Sequence, residues 1–308
     1  MLAALPLAAE LKTDVEFAVV EDVRLTLDAW VPEGKGPFAA VIVVHGGGFT
    51  AGDKQTYVKP LFDPLTRGGF AWFTINYRLA PKYRFPAAVD DVERAVEWVK
   101  SHAKEYKVDA KRIALMGESA GGHLVSFVGA QNKPASRVAA VVSFYGPHDF
   151  EARAVETEKL SDSVKAFLGV SELNDETRRL LREASPISYV KKGMPPFLLI
   201  HGTNDPLVPY QQSAKMCEKM KGAGASCEVF TVEGAGHGVG GWEKNPAFQA
   251  YKEKMIEWLK KTLRVTASGC EPDCGSRGNP AGEQQTLEIN PRRWSTAGIA
   301  SRRGRCSS

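Results

Sequence analysis

The chain has 308 residues, of which 43% are hydrophobic and 25% are charged, with a formal net charge of +4. This length and composition can bury a large core and exclude disorder across the bulk of the chain. The lysines and arginines are scattered among acidic residues, unlike the aromatic-interleaved basic surface of a nucleic-acid-binding protein, and no apolar stretch approaches the length that crosses a bilayer. We therefore expect no nucleic acid and no membrane among its partners.

The amino-terminal segment has two interpretations. Residues 2–9 form an apolar run that ends in small residues, with no Lys or Arg before it. The run is either a signal-peptide remnant, which favours a secreted or periplasmic protein, or a segment that packs on the domain, which leaves a cytoplasmic location open.

Strand and helix patterns then alternate along the chain. Residues 15–20 and 23–29 have the pattern of an antiparallel hairpin, and the spacing of four valines between 89 and 99 predicts a helix. Six further apolar runs, separated by helical segments, read as strands at residues 41–44, 71–77, 113–116, 138–144, 197–200 and 227–232. The alternation predicts an α/β fold, with helices on both faces of a mostly parallel sheet and active groups at its carboxyl edge.

The most informative motif is Gly117-Glu118-Ser119-Ala120-Gly121, which lies between the predicted strand 113–116 and a helix-compatible segment. This setting is typical of a nucleophile elbow, whose tight turn needs small residues two positions before and after the serine. The motif therefore predicts Ser119 as a nucleophile exposed above the sheet. Glu118 either tunes the site through its charge or holds the turn through backbone hydrogen bonds.

A glycine-rich loop, His45-Gly46-Gly47-Gly48, follows the predicted strand 41–44. An ester attacked by a serine develops negative charge on its carbonyl oxygen, and backbone N–H groups outside a sheet ladder can stabilise that charge. We expect the N–H groups of Gly47, Gly48 and Ala120 to form such an oxyanion hole. The alternative for the loop is a flexible turn.

A serine nucleophile also needs a histidine base that a carboxylate orients. His237 lies in a glycine-rich loop after strand 227–232, and Asp205 lies in the loop after strand 197–200. The other histidines occupy settings that we interpret as structural, namely His45, His102, His123, His148 and His201. The resulting chain order, serine, then aspartate, then histidine, is that of the α/β-hydrolase arrangement.

The chain resembles α/β-hydrolases of the hormone-sensitive-lipase-like esterase group, close to their carbohydrate-esterase relatives of the acetyl xylan and feruloyl esterase type. The resemblance covers residues 13–265. It rests on His45-Gly46-Gly47-Gly48-Phe49, Ala51-Gly52-Asp53-Lys54, Asn76-Tyr77-Arg78-Leu79-Ala80-Pro81, Phe85-Pro86-Ala87, Gly117-Glu118-Ser119-Ala120-Gly121-Gly122, Asp205-Pro206-Leu207-Val208-Pro209 and Gly236-His237-Gly238.

The resemblance implies the same residues for the catalytic triad and for the oxyanion hole. Lipases of that group carry a long helical cap before the glycine loop, whereas residues 1–44 precede it here. We therefore expect a compact, open site that suits short acyl groups.

These features predict a serine carboxylesterase that cleaves short-chain or aryl esters through an acyl-enzyme, without a metal or an organic cofactor. The resemblance implies acetyl or feruloyl esters of a plant polysaccharide such as xylan as substrates. Two alternatives are an arylformamidase-type amide hydrolase and a non-catalytic ligand receptor of the gibberellin-receptor kind, although such receptors lose the catalytic histidine.

Residues 1–265 are expected to form one hydrolase domain. Within it, residues 148–192 are polar and helical, and they form either a small cap over the pocket, which we favour, or a helical excursion on the far surface. Residues 266–308 are rich in Gly, Ser, Pro and Arg, and we expect a disordered or non-native tail there.

The cysteines fall into two groups. Cys217, in a helical pattern, and Cys227, at the start of a strand, are either bridged or two separate buried thiols. Cys270, Cys274 and Cys306 have metal-like spacing, but no histidine lies in that tail, so we favour loose thiols over zinc.

Three aromatic residues are candidates for substrate binding. Phe49 and Tyr145 follow strands near the predicted pocket, and Trp242 lies in a glycine-rich stretch close to His237. Each either forms a wall for the acyl or sugar group or packs in the core.

Overall fold

The computed structural model describes residues 9–265. The expectations for the amino-terminal run, apart from Ala9, and for residues 266–308 with their three cysteines lie outside these residues. The division into a hydrolase domain and a tail therefore stays a prediction.

Eight strands form one sheet in the described part of the chain. Across the sheet they are β1 (Glu10–Val20), β2 (Val23–Val31), β4 (Ala71–Ile75), β3 (Phe38–Val44), β5 (Val108–Glu118), β6 (Ala140–Phe144), β7 (Phe197–Gly202) and β8 (Cys227–Val232). The pairs β1–β2 and β2–β4 are antiparallel, and all other neighbours are parallel. The predicted α/β fold with a mostly parallel sheet is confirmed.

Helices connect the strands and cover the sheet. They are α1 (Lys59–Arg67), α2 (Ala87–Ser101), α3 (Ala120–Gln131), α4 (Phe150–Thr157), α5 (Asp162–Leu168), α6 (Asp175–Glu183), α7 (Gln211–Gly222), α8 (Val239–Trp242) and α9 (Ala250–Thr262). Between residues 9 and 265, none of the helices is both long enough and apolar enough to cross a bilayer.

The central strands are buried on both faces, which explains their continuous apolar runs. In β3, Ile42 and its alternate neighbours pack into one hydrophobic cluster with α2 and α3, whereas Val41 and Val43 pack into a second cluster with α1 and α9. In α9, Tyr251 and Met255 face the core, and Phe248 lies in a short 3-10 turn before the helix. The two clusters thus cover the two faces of the central strands.

Every strand except β8 differs in length from its predicted range, and β5 and β4 show why. β5 begins at Val108 because this residue pairs with Phe38, although Lys111 and Arg112 interrupt the apolar pattern. β4 ends at Ile75, two residues early, since the Asn76 side chain accepts a hydrogen bond from the Lys54 N–H. The apolar periodicity therefore located both strands but not their ends.

Residues 148–192 contain α4, α5 and α6. Each helix begins with a side chain that caps its first turn: Asp149 accepts from the Ala152 N–H, Ser161 from Val164 and Asn174 from Thr177. Phe150 and Phe167 from this insert pack against Phe49 of the glycine loop, with ring centroids 6.2 and 4.0 Å away. The insert thus lies beside the carboxyl edge of the sheet, where the candidate site forms.

Candidate active site

Ser119 occupies the sharp turn between β5 and α3. Its φ of 53° lies in the left-handed region, which a non-glycine residue rarely adopts outside a tight functional turn. A Cβ atom at Gly117 would lie 2.3 Å from the Gly121 carbonyl oxygen, and one at Gly121 would lie 2.1 Å from the Val44 carbonyl oxygen. The two flanking glycines are therefore required by close backbone contacts, and the turn exposes the serine hydroxyl.

The structure brings the three side chains singled out in the sequence into one hydrogen-bonded chain. The Ser119 Oγ lies 2.9 Å from Nε2 of His237, and Nδ1 of His237 lies 2.7 Å from Oδ2 of Asp205. The three residues come from the turn after β5, the loop after β8 and the loop after β7. Their convergence follows from the parallel strands, whose carboxyl ends meet at one edge.

The Asp205 carboxyl group is held by several donors. Oδ1 accepts hydrogen bonds of 2.9 Å from the N–H groups of Leu207 and Val208. Burial opposes ionisation, but hydrogen bonds from His201, His237 and the Val208 N–H outweigh it and hold the pKa of Asp205 well below its usual range. The carboxyl group is therefore ionised over the range in which most enzymes work.

An ionised carboxylate can only accept hydrogen bonds, and this decides the state of the histidine ring. Nδ1 of neutral His237 must carry the proton that Asp205 accepts, so the lone pair of Nε2 faces the Ser119 hydroxyl. His237 is therefore positioned to remove the proton of the Ser119 hydroxyl.

The glycine loop lies next to the serine. Gly47 and Gly48 have φ values of 96° and 59°, and a Cβ atom at Gly47 would lie 2.1 Å from the Ala51 carbonyl oxygen. Within residues 9–265, the N–H groups of Gly47, Gly48 and Ala120 donate no hydrogen bond. All three residues line the cavity that contains the serine. Three unused donors therefore border the space in front of Ser119.

The family follows from a match over most of the chain. The profile of the BD-FAE family matches residues 27–220, a range that contains the glycine loop, Ser119 and Asp205. The chain belongs to the BD-FAE family. The match ends before the His237 loop, which the structure places against Ser119.

Known relatives of this BD-FAE chain are esterases by their names. Probable carboxylic ester hydrolase LipM of Mycobacterium tuberculosis is 33% identical over 196 residues, which are 60% of this chain and 46% of LipM. Acetylxylan esterase of Xylanibacter ruminicola is 25% identical over 268 residues, 84% of this chain and 53% of that protein. The chain thus spans about half the length of these curated relatives.

A solved structure described as a truncated form of carbohydrate esterase from gut microbiota also has this fold. It superposes with a TM-score of 0.74 at 27% identity, and the match covers 83% of this chain and 96% of that chain. The likeness supports the α/β-hydrolase fold of the BD-FAE chain, as the resemblance implied.

The serine opens into a cavity of about 830 Å³. Its walls are mostly apolar, and the insert 148–192 supplies a large share of them through Phe150, Ala154, Leu160 and Val164. The insert thus contributes side chains to the wall of the cavity. Arg153 and Lys159 add charged groups to the same wall.

The three aromatic candidates have different surroundings. Phe49 lines the cavity, although only 2% of it is exposed. Tyr145 and Trp242 do not line the cavity and are at most 1% exposed, which corrects the expectation that they bind substrate. They support the His237 loop instead: the Tyr145 hydroxyl accepts a hydrogen bond from the Val239 N–H, and the Trp242 Nε1 donates to the Gly236 carbonyl.

Glu118 lies beneath the glycine loop. A Cβ atom at Gly46 would lie 2.0 Å from Oε1 of Glu118, so the carboxyl group and the loop are in close contact. Burial raises the pKa of this carboxyl group, with a smaller opposing effect from His237. The Glu118 side chain therefore packs under the loop that presents the free N–H groups.

Sequence reasoning missed the role of His201 beside Asp205. His201 lies at the end of β7, is fully buried, and contacts both the Val208 carbonyl and the Ser213 hydroxyl. The sequence signal available for this role was the position of His201 at the end of β7, four residues before Asp205 in the loop that follows. The tertiary structure shows why a histidine suits this position: its two ring nitrogens contact Ser213 of α7 and the Val208 carbonyl of the Asp205 turn.

Cys217 and Cys227 are joined by a disulfide, with their Cα atoms 5.3 Å apart. The bond connects α7, which carries Ser213, to β8, which leads to the His237 loop. It therefore connects the two elements that support Asp205 and His237.

Proposed function

We propose that this protein is a serine carboxylesterase that works through an acyl-enzyme. The observation that carries the proposal is the chain from Ser119 through His237 to Asp205, which faces three free N–H groups. The names of LipM and of the other esterase relatives support the same activity.

In the first step, Nε2 of His237 takes the Ser119 proton as Oγ bonds to the ester carbonyl carbon. The N–H groups of Gly47, Gly48 and Ala120 stabilise the resulting oxyanion, and each such donor contributes about 100- to 1,000-fold in rate. The tetrahedral intermediate collapses, the alcohol leaves with the proton from His237, and the acyl group stays on Ser119.

In the second step, water gives a proton to His237 and attacks the acyl carbon. Collapse returns that proton to Ser119 and releases the carboxylic acid. Asp205 remains ionised throughout and stabilises the imidazolium that forms twice in each cycle. No step requires a group outside this chain other than ester and water.

For the substrate, we infer acetyl or feruloyl esters of a plant polysaccharide such as xylan. The relative from Xylanibacter ruminicola is named acetylxylan esterase, and the superposed structure is described as a carbohydrate esterase. The mostly apolar cavity, with Phe49 and the insert in its walls, has room for a short or aromatic acyl group.

A substrate series tests both levels of this proposal. We expect hydrolysis of p-nitrophenyl acetate to exceed that of p-nitrophenyl palmitate, together with release of acetate or ferulate from the esterified polysaccharide. Ser119→Ala should lower kcat by at least about a thousandfold. Ser163→Ala, which changes another serine of the same cavity, is the matched control and should keep its activity. Highest activity on palmitate would contradict the substrate, and full activity of Ser119→Ala would contradict the mechanism.

For the location, we infer an oxidising compartment, secreted or periplasmic. Disulfides form and persist in such compartments and are rare in the cytosol of mesophiles. The Cys217–Cys227 bond supports this inference. Free thiols at both positions in protein isolated from its native host under alkylating conditions would contradict it.

A further inference from the structure

Two exposed apolar side chains lie at the cavity that contains Ser119. Among the described residues, five large apolar side chains are strongly exposed, and two of them, Tyr57 at 53% and Leu207 at 68%, line this cavity. A side chain that both lines a cavity and meets solvent lies at its mouth. Single exposed apolar residues are ordinary, but a pair at the entrance of a reactive site can bind a ligand.

The Tyr57 backbone is held in an unfavourable conformation. Its φ of 67° is in the left-handed region, which a bulky L-residue rarely adopts. The preceding turn is strongly fixed, because Oδ1 of Asp53 accepts from the N–H groups of Gln55 and Thr56. Lys54 anchors the same turn through ion pairs with Asp14 and Asp28, of 2.7 and 3.2 Å. The ring of Tyr57 is thus presented by a rigid loop.

Leu207 is presented by the turn that carries Asp205. Its N–H donates to Oδ1 of Asp205 at 2.9 Å, and Pro206 and Pro209 restrict the backbone on either side. The backbone of Leu207 therefore has a fixed position relative to the triad, and its side chain extends into solvent.

The proposed function decides which part of an ester reaches this mouth. A cavity of about 830 Å³ accommodates an acyl group, but it cannot enclose a polysaccharide. For an esterified polysaccharide, the acyl group must therefore enter the cavity while the sugar chain stays outside, next to the residues at the entrance.

We propose that Tyr57 and Leu207 bind the ring of the alcohol portion of the ester, a sugar or an aromatic alcohol, at the mouth of the cavity. The inference rests on the esterase function proposed above. An aromatic face packs against the C–H face of a sugar or against another aromatic ring, and the Leu207 methyl groups add apolar contact. A small alcohol such as ethanol does not reach this surface.

The test compares three acetyl esters that differ only in the alcohol: ethyl acetate, phenyl acetate and an acetylated xylooligosaccharide. Tyr57→Gly and Tyr57→Asn remove the ring, and both replacements tolerate the left-handed backbone. Each should raise KM about tenfold for the two ring esters, the effect of losing roughly 55 Å² of apolar contact. Ethyl acetate should change less than about twofold.

Two control variants, Tyr57→Phe and Leu11→Ala, separate the contribution of the ring from other effects, and Leu207→Ala tests the second side chain. Tyr57→Phe keeps the ring and should match the parent on all three esters. Leu207→Ala should weaken the ring esters selectively, whereas Leu11→Ala, which removes an exposed leucine away from the cavity, should change none of them.

Equal losses on all three esters, or no loss on any of them, would overturn the proposal. Failure of the esterase function itself is seen separately, because the parent would then hydrolyse none of the three esters.

Discussion

Nε2 of His201 lies 3.5 Å from Oδ2 of Asp205, the same oxygen that accepts the hydrogen bond from His237. Nε2 also lies 2.9 Å from the Val208 carbonyl oxygen, and Nδ1 lies 2.8 Å from the Ser213 hydroxyl. Because a carbonyl oxygen only accepts, Nε2 carries the proton of the neutral ring, and Nδ1 of that ring accepts from Ser213. His201 therefore connects the Asp205 turn to α7.

Replacement of His201 should affect the reaction more than substrate binding. We expect His201→Leu to lower kcat about 10- to 100-fold with little change in KM, because a small displacement of Asp205 misaligns His237. His201→Gln, whose amide can still donate to the Val208 carbonyl, should recover part of the loss. Steady-state kinetics with p-nitrophenyl acetate measures both variants, and an unchanged kcat in His201→Leu would exclude this role.

The charge of Asp205 should matter for the tautomer of His237. Asp205→Asn keeps the size of the side chain, but its amide can donate to Nδ1 and thereby place the imidazole proton on Nε2, facing Ser119. We expect kcat to fall on the order of 10⁴-fold, the magnitude known for this change in a serine protease triad. The check is kcat near neutral pH, with circular dichroism to show that the fold is retained. A loss below tenfold would argue against the proposed role of Asp205.

The disulfide should stabilise the domain. It closes a loop with a sequence separation of 10 residues, for which the chain-entropy relation gives about 3 kcal/mol. The double variant Cys217→Ala and Cys227→Ala should therefore lower the free energy of unfolding by about that amount in urea titrations. Parent protein measured with a reductant is the matched control and should shift in the same direction. Identical unfolding midpoints with and without the bond would contradict the expectation.

Buried histidines should make the fold sensitive to acid. Burial lowers the pKa of His45 and His123 to about 4 and that of His148 to about 3, from a usual value of 6.5. Below pH 6.5 the unfolded chain binds protons that the folded chain does not, so the free energy of unfolding falls as the pH falls. The expected slope is about 1.4 kcal/mol per pH unit for each histidine, down to its folded pKa.

Urea unfolding at pH 5 and pH 7 measures this dependence. His123→Phe removes one of the three groups from a site surrounded by Phe49, Phe150 and Phe167, and it should reduce the slope by about a third. Asp205, with its lowered pKa, acts in the same direction below about pH 4, where the unfolded carboxylate binds a proton first. Equal stability at pH 5 and pH 7 would show that these histidines are not buried as neutral groups.

Local motifs allowed much of the site to be predicted. The backbone at Gly117 passes close to Gly121, and the backbone at Gly121 passes close to Val44, so neither position has room for a side chain. The spacing of the two glycines around Ser119 is therefore a structural requirement that can be recognised in the sequence. The apolar runs of the parallel strands are similarly local, and they led to the correct fold class. The strand ends were less accurate, because pairing such as that of Val108 with Phe38 depends on a distant partner.

Sequence alone led to the hydrolase family, to the sheet, and to three side chains expected at one edge of it, because these features depend on short-range patterns and on the direction of the strands. The tertiary structure decided the environment of each side chain. It buried Tyr145 and Trp242 behind His237, left Tyr57 and Leu207 at the cavity mouth, and placed His201 against Asp205. Exposure and contact arise from segments far apart in the chain, so no local pattern encodes which aromatic side chains line the cavity and which are buried beside it.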